Sequence, residues 1–337
     1  MRLLRSELLL TLSLIVACST PRTEQRSFFV GIRNQTNAIE VLVGGEPFAE
    51  LEATIGQPFN LRSLTAPDGG PLLRRSASNR DESGASSRLD RPEQRSLWVA
   101  HRNISGVDFW SHPQWIRVTD HSVALEAGGV VRLTSRLDWR DGDGVLILTE
   151  ARTHRFHANE EARMIDVTVE LTAPGRGARF ADTKDGFFAL RLDQRFARDQ
   201  PGTGASAFIG TLQDSTVTPL WGLRGTWCAA SAVGAEPVAT DSQSTDETDG
   251  PLGRVTVAIF DHPSNLSHPT RWQVRPYGLL AANPFGERAF GGATPPNAAF
   301  QLEPYEELVL RYRVYITDQN VDHEILDEAW REYAGDA

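Results

Sequence analysis

Met164–Thr172, MIDVTVELT, sets Ile165, Val167, Val169 and Leu171 against Asp166, Thr168, Glu170 and Thr172. Successive side chains of a strand point to opposite faces, so a period of two lays one apolar face on a core and one polar face toward water. Val131–Trp139 repeats the pattern with Val131, Leu133, Leu137 and Trp139, and Leu308–Thr317 does so with Leu308, Leu310, Tyr312, Val314 and Ile316. Val255–Phe260 and Ile39–Val43 are shorter runs of the same kind. Half-buried alternation belongs to antiparallel sheets, and Asp141-Gly142-Asp143-Gly144 between two such runs predicts a hairpin. Helical spacing is confined to the tail, Asp322–Tyr333, where Ile325, Leu326, Ala329, Trp330 and Tyr333 share a stripe. The expected fold class is all-β: a large antiparallel β-sandwich with a short C-terminal helix.

The first residues point to a compartment. Arg2 and Arg5 precede the apolar run Leu8–Ala17, which is too short to span a bilayer and is built like a secretory signal. Its ending, Ile15-Val16-Ala17-Cys18, resembles a bacterial lipobox and marks Cys18 for lipidation, with a plain signal peptide as the alternative. The expected organisation is a leader over 1–17, a tether over 18–37 and one β-sandwich domain over 38–337. The expected location is the cell envelope, lipid-anchored on the periplasmic face of the outer membrane. Ser76–Arg91 and the acidic Ala235–Gly250 are expected to be loops. Cys228 is left without an intramolecular partner in the mature chain and suits a small core position. The 34 Lys and Arg against 44 Asp and Glu give a net charge of −10, which argues against a nucleic-acid partner.

Ile259–Gly286, IFDHPSNLSHPTRWQVRPYGLLAANPFG, concentrates polar rings, an Arg-Trp pair and prolines. Proline removes backbone donors, so the stretch reads as a long stiff loop of the kind that carries sites. Asp261, His262, His268, Arg271, Trp272, Tyr277 and, in the Asn-Pro-Phe-Gly turn, Asn283 are its candidates. An indole beside a guanidinium and imidazoles suits a sugar, offering an apolar ring face and directional hydrogen bonds. A self-satisfied structural loop is the alternative. His262 and His268 are six apart, a spacing that fits no common zinc pattern, so no metal is expected. No cofactor is expected either, because no glycine-rich phosphate loop joins a strand to a helix. His101 and Asp108 flank a turn at Asn103–Gly106 that could bring them together. Asp182, Lys184 and Asp185 precede Gly186 at the head of the run Phe187–Leu192, where a lysine between two carboxylates is either a tuned acid or base or part of a solvated strand end. Glu150 and Arg152 share a strand face and form either an exposed ion pair or a pair lining a cleft.

Several of these blocks, in order, resemble a bacterial family filed as "methane oxygenase PmoA-like". They are Pro58-Phe59, Pro67–Pro71, Ser96–His101, Gly106–Trp110, Asp182–Phe188, Trp221-Gly222, Trp227-Cys228 and the Ile259–Gly286 stretch. The resemblance runs from about Ile39 to Ile316. It implies nothing about methane: after the leader the chain has no apolar spans and no copper-like ligand spacing. One block departs. Where the family carries Asp-His-Pro-His-His-Arg, this chain has Asp90-Arg91-Pro92-Glu93-Gln94-Arg95, so the imidazoles at 91, 93 and 94 are absent. By fold-level analogy the expected sandwich is of the galactose-mutarotase-like supersandwich type.

Two functions compete. One is an enzyme acting on a carbohydrate or glycoside by acid–base chemistry on the ring. His101, His262 and His268 would be its acids and bases, Asp108 or Asp261 would orient them, and Arg95, Trp98, Lys184, Arg271, Trp272, Tyr277 and Asn283 would hold the substrate. The other is a glycan-binding lipoprotein without turnover, as the missing imidazoles suggest. The membrane is a partner only through the lipid anchor.

Overall fold

A computed structural model describes residues 28, 30–34, 38–74, 94, 96–197, 207–210, 220–233, 253–291 and 297–335. The leader, Cys18, Arg95 and the Ser76–Arg91 and Ala235–Gly250 segments lie outside these residues. All pairing between named strands is antiparallel. A four-stranded sheet follows chain order: β1 (Val30–Asn34), β2 (Ile39–Val43), β3 (Glu46–Glu52) and β4 (Asn60–Leu64). β1 is a correction, since Val30–Asn34 was expected within the tether and instead pairs along β2. A five-stranded sheet contains β5 (Leu97–His101), β11 (Gly186–Arg191), β13 (Arg224–Gly225), β16 (Thr270–Arg275) and β17 (Leu279–Asn283), in the order β13-β16-β17-β11-β5.

The eight-stranded sheet is the base. It contains β6 (Ile116–Glu126), β7 (Val130–Arg140), β8 (Leu146–Ala158), β9 (Arg163–Thr172), β12 (Ala207–Gly210), β14 (Trp227–Val233), β15 (Arg254–Asp261) and β19 (Glu307–Thr317). Their order is β12-β14-β15-β19-β9-β8-β7-β6. A short ladder joins β10 (Ala178–Phe180) to β18 (Phe300–Leu302), and the helices are α1 (Glu287–Gly291) and α2 (His323–Gly335). The alternating runs read in the sequence are β2, β7, β9, β15 and β19. The Asp141 turn closes the β7–β8 hairpin, its carboxylate accepting the Asp143 and Val145 N–H groups.

Both smaller sheets pack on one face of the large one. Leu133, His154, Val167, Tyr312 and Asp261 lie in one row across β7, β8, β9, β19 and β15 and share that face. Phe188 of β11 stacks on Tyr312 at 4.5 Å, which seats the five-stranded sheet there. Phe59, just before β4, stacks on His154 at 4.8 Å, and Phe48 of β3 meets Phe156 edge-on, which seats the four-stranded sheet beside it. α2 covers the opposite face through Leu326 and Tyr333, against Met164, Trp227, Phe260 and Tyr315. The expected antiparallel sandwich with a short C-terminal helix is therefore present.

Candidate functional site

The Ile259–Gly286 stretch is not a long loop. β15 continues to Asp261, residues 262–269 turn, and β16 and β17 form a hairpin around Arg275-Pro276-Tyr277-Gly278. Gly278 donates its N–H to Arg275 O and holds φ +88, a conformation that suits glycine. Neighbours in a strand face opposite ways, and β16 has a strand on each side that separates its two faces, so Arg271 and Trp272 cannot serve one ligand. Trp272 lies in the row with Ala282 and Phe188, on the face packed against the large sheet, and its indole N–H is given to Gly225 O at 2.9 Å. Arg271 holds Glu287 Oε2 at 3.0 and 2.8 Å and Gly222 O. The expected single hollow of imidazole, guanidinium and indole is not formed.

The other candidates separate in the same way. His101 is wholly buried between Phe180 and Phe285; its Nδ1 accepts the Asn103 N–H, and burial lowers its pKa to about 4. Its ring fills the space where a Cβ on Gly186 would stand, 2.9 Å from Cδ2. Asp108 does not reach His101 with a hydrogen bond: it accepts the Ser111 N–H at 2.9 Å and approaches Arg102 at 4.0 Å. Asn283 is buried and holds the Thr183 carbonyl and the Phe285 N–H. His262 faces Ser264 at 2.8 Å and the edge of Tyr333, with its pKa lowered by burial and Arg311. Asp261 and His268 do meet, Oδ2 to Nδ1 at 2.8 Å. Asp261 also takes the Asn265 amide and the Thr270 N–H; burial pushes its carboxyl up against the pull of His268 and Asn265. The His268 ring lies parallel to Trp330, with its side chain 17% exposed.

A cavity of about 630 Å³ gathers a different set. On the face of the five-stranded sheet turned away from the large sheet, one row runs Gln273, Ala281, Ala189, Trp98. Gln273 and Arg275 line the cavity from this face, Tyr277 and Pro276 from the hairpin turn, and Gln94 from the residues before β5. The loop before β11 supplies Asp182, Thr183, Lys184 and Asp185, and Arg102 follows β5. Asp182 fixes that loop by accepting three backbone N–H groups, from Arg288, Ala289 and Ala298. Asp185 is clamped between Gln273 Nε2 at 2.9 Å and Arg102 Nη1 at 3.1 Å. Arg275 lies over the Trp221 ring at 3.8 Å, and Arg191 over Tyr277 at 4.1 Å.

Two atoms stand out. Gln94 Oε1 and Gln273 Oε1 are both buried with no hydrogen-bond donor, although their residues are only 7% and 2% exposed. A buried amide oxygen left without a donor carries an appreciable desolvation cost, so these positions favour a ligand that donates. Of the expected binding residues, Lys184 and Tyr277 line this cavity, while Trp98 lines another and Arg95 lies outside the described residues. Gln273, Arg275 and Arg102 were missed. The only sequence signal for the first two was the polar alternation Arg271, Gln273, Arg275 on one strand face, and Arg102 carried none.

Residues 38–331 match a sequence family described as "Family of unknown function (DUF6807)". No curated protein matches the chain. The chain is similar in structure to 4-alpha-glucanotransferase from Thermococcus litoralis, at 8% identity over 86% of this chain and 39% of that one, with a TM-score of 0.33. It is similar to the Slr1438 protein from Synechocystis sp. PCC 6803 at 11% identity over 87% and 97% of the two chains, with a TM-score of 0.37. It is similar to polysaccharide lyase BACCELL_00875 at 11% identity over 89% and 34%, with a TM-score of 0.26. The chain thus spans well under half the length of the glucanotransferase and of the lyase.

Proposed function

The chain belongs to that family of unknown function, and we propose that it is an envelope lipoprotein, as the lipobox-like Ile15–Cys18 suggests, that binds a carbohydrate in its cavity. The span of the match, 38–331, overlaps that of the blocks resembling PmoA-like proteins, which supports reading the two as one family. The observation that carries the proposal is the pair of buried, donor-free amide oxygens of Gln94 and Gln273 in one cavity. Sugar hydroxyls would donate to them and accept from the Lys184 ammonium and the Arg275 guanidinium, while Tyr277 offers an apolar ring.

Binding without turnover fits this cavity better than ring chemistry does. Among the described residues no imidazole lines it, and Gln94 stands where the resembling family has a histidine. Titration calorimetry of the mature protein against neutral and acidic oligosaccharides tests this. Gln273→Leu and Tyr277→Ala should each weaken binding about tenfold, roughly the worth of one buried hydrogen bond or one ring contact. No glycan bound by the wild type, or binding indifferent to both substitutions, would remove the proposal.

The Asp261–His268 contact favours a second reading. A buried carboxylate that orients a partly exposed imidazole is the arrangement of an acid–base pair. On that reading the sugar reacts at His268, outside the cavity, so turnover is lost in His268→Gln while binding in the cavity survives; a wild type without turnover, or turnover that persists in the variant, would end it.

A further inference from the structure

We propose that a second cavity, of about 490 Å³ beside the edge strand β5, binds an uncharged, largely apolar small molecule that presents a carbonyl or ether oxygen to Trp98 Nε1. This site does not depend on the carbohydrate reading. Its walls are mostly apolar: Leu97 and Val99 of β5, Leu137 of β7, Ile116 of β6 and the ring of Phe59. The volume is that of a small-molecule pocket rather than of a solvent crevice.

Gln57, Asn60, Ser111 and Gln114 add polar groups to the lining, but its one buried polar atom without a partner is a donor. Trp98 is 6% exposed, it lines the cavity, and its indole N–H meets no acceptor. An indole N–H can only donate, so the group that completes it must be an acceptor. Trp98 packs against Trp110 at 5.0 Å between ring centroids, which holds the ring and its N–H in place.

Charge decides the rest. Arg152 lines the cavity but is spent on Glu150, at 2.5 and 2.8 Å, and Glu150 also accepts Trp139 Nε1 at 2.7 Å. Glu52, on the same lining, is held by Arg62 at 3.0 Å. With each of these charges already compensated, an ionic ligand would lose its hydration for little return, so an uncharged one is favoured.

The neutral naphthyl ketone prodan, whose emission reports both polarity and hydrogen bonding to its carbonyl, is the probe. Titrated into the full mature chain, it should bind saturably at one site. Gln114 is an exposed lining residue, and Gln114→Trp should fill the cavity and abolish that binding without touching the core. Trp98→Phe keeps an aromatic ring but removes the donor; it should bind about five- to tenfold more weakly, as one lost hydrogen bond requires, with emission shifted to the blue. Unsaturable prodan fluorescence, or equal affinity in Gln114→Trp, would overturn the site. Equal affinity and emission in Trp98→Phe would overturn the role of the indole. Should Trp98→Phe fail to fold, Gln114→Trp decides the site and the emission of prodan bound to the wild type decides the indole: a hydrogen-bonded, red-shifted carbonyl supports the contact and an unbonded one overturns it.

Discussion

His154 is almost fully enclosed on β8, 2% exposed, with its ring on Phe59 and both nitrogens without partners. Burial, helped by the Arg152 charge, lowers its pKa to about 3, and burial lowers that of His101 to about 4. The unfolded chain protonates histidine near 6.5. Between that value and the folded one, the unfolded state binds the extra proton, so stability rises with pH. Each ring therefore contributes stability that is complete above about 6.5 and falls away as the pH drops, at about 1.4 kcal/mol per unit. His154→Leu removes one such proton. Its stability relative to wild type should improve by about 2 kcal/mol on going from pH 7 to pH 5, read from urea midpoints. An identical difference at both pH values would mean that the ring takes up a proton as readily in the folded protein as in the unfolded chain. Parity along Leu148, Glu150, Arg152, His154 and Phe156 was visible in the sequence. That this face is the inner one became visible only with the sheets packed on it.

At the scale of elements, the β16–β17 hairpin shows why the Pro-rich stretch misled. Proline density argues for a loop, but only 262–269 turns. Thr270–Arg275 and Leu279–Asn283 carry the Thr, Trp, Val and Leu residues that suit a pleated surface, and the sheet pairs them on both sides. α2, in contrast, follows its sequence closely. Asp322 accepts the Ile325 N–H as its cap, Leu326 and Tyr333 are the buried part of the stripe, and Trp227 Nε1 reaches Asp327 at 2.6 Å. Trp330 donates to Asp261 O at 2.9 Å, so the helix also braces the end of β15. Leu326 is wholly buried, and Leu326→Ala should cost about 2–5 kcal/mol by chemical denaturation, as large-to-small changes in a core do. A cost below about 1 kcal/mol would mean that the helix contributes little to the fold.

For the whole molecule, one large sheet serves two purposes: its inner face seats two smaller sheets, and its outer face takes α2. The five-stranded sheet then turns its second face outward, toward the cavity proposed to bind carbohydrate. The proposed lipid anchor would hold this body at a membrane surface. In a bacterial host supplied with radiolabelled palmitate, the wild type should be labelled and recovered with membranes, and Cys18→Ala should be neither; an unlabelled wild type would remove the anchor. The sequence by itself determined the strand faces, the helical stripe, the hairpin at Asp141 and the acidic balance, because each is a property of neighbouring residues or of composition. The tertiary structure alone decided that His101 is a buried packing group, that Trp272 faces inward, and that Gln94, Asp185 and Gln273 line one cavity. Asp185 and Gln273 are 88 positions apart and meet only through strand pairing, a non-local event that no local pattern records.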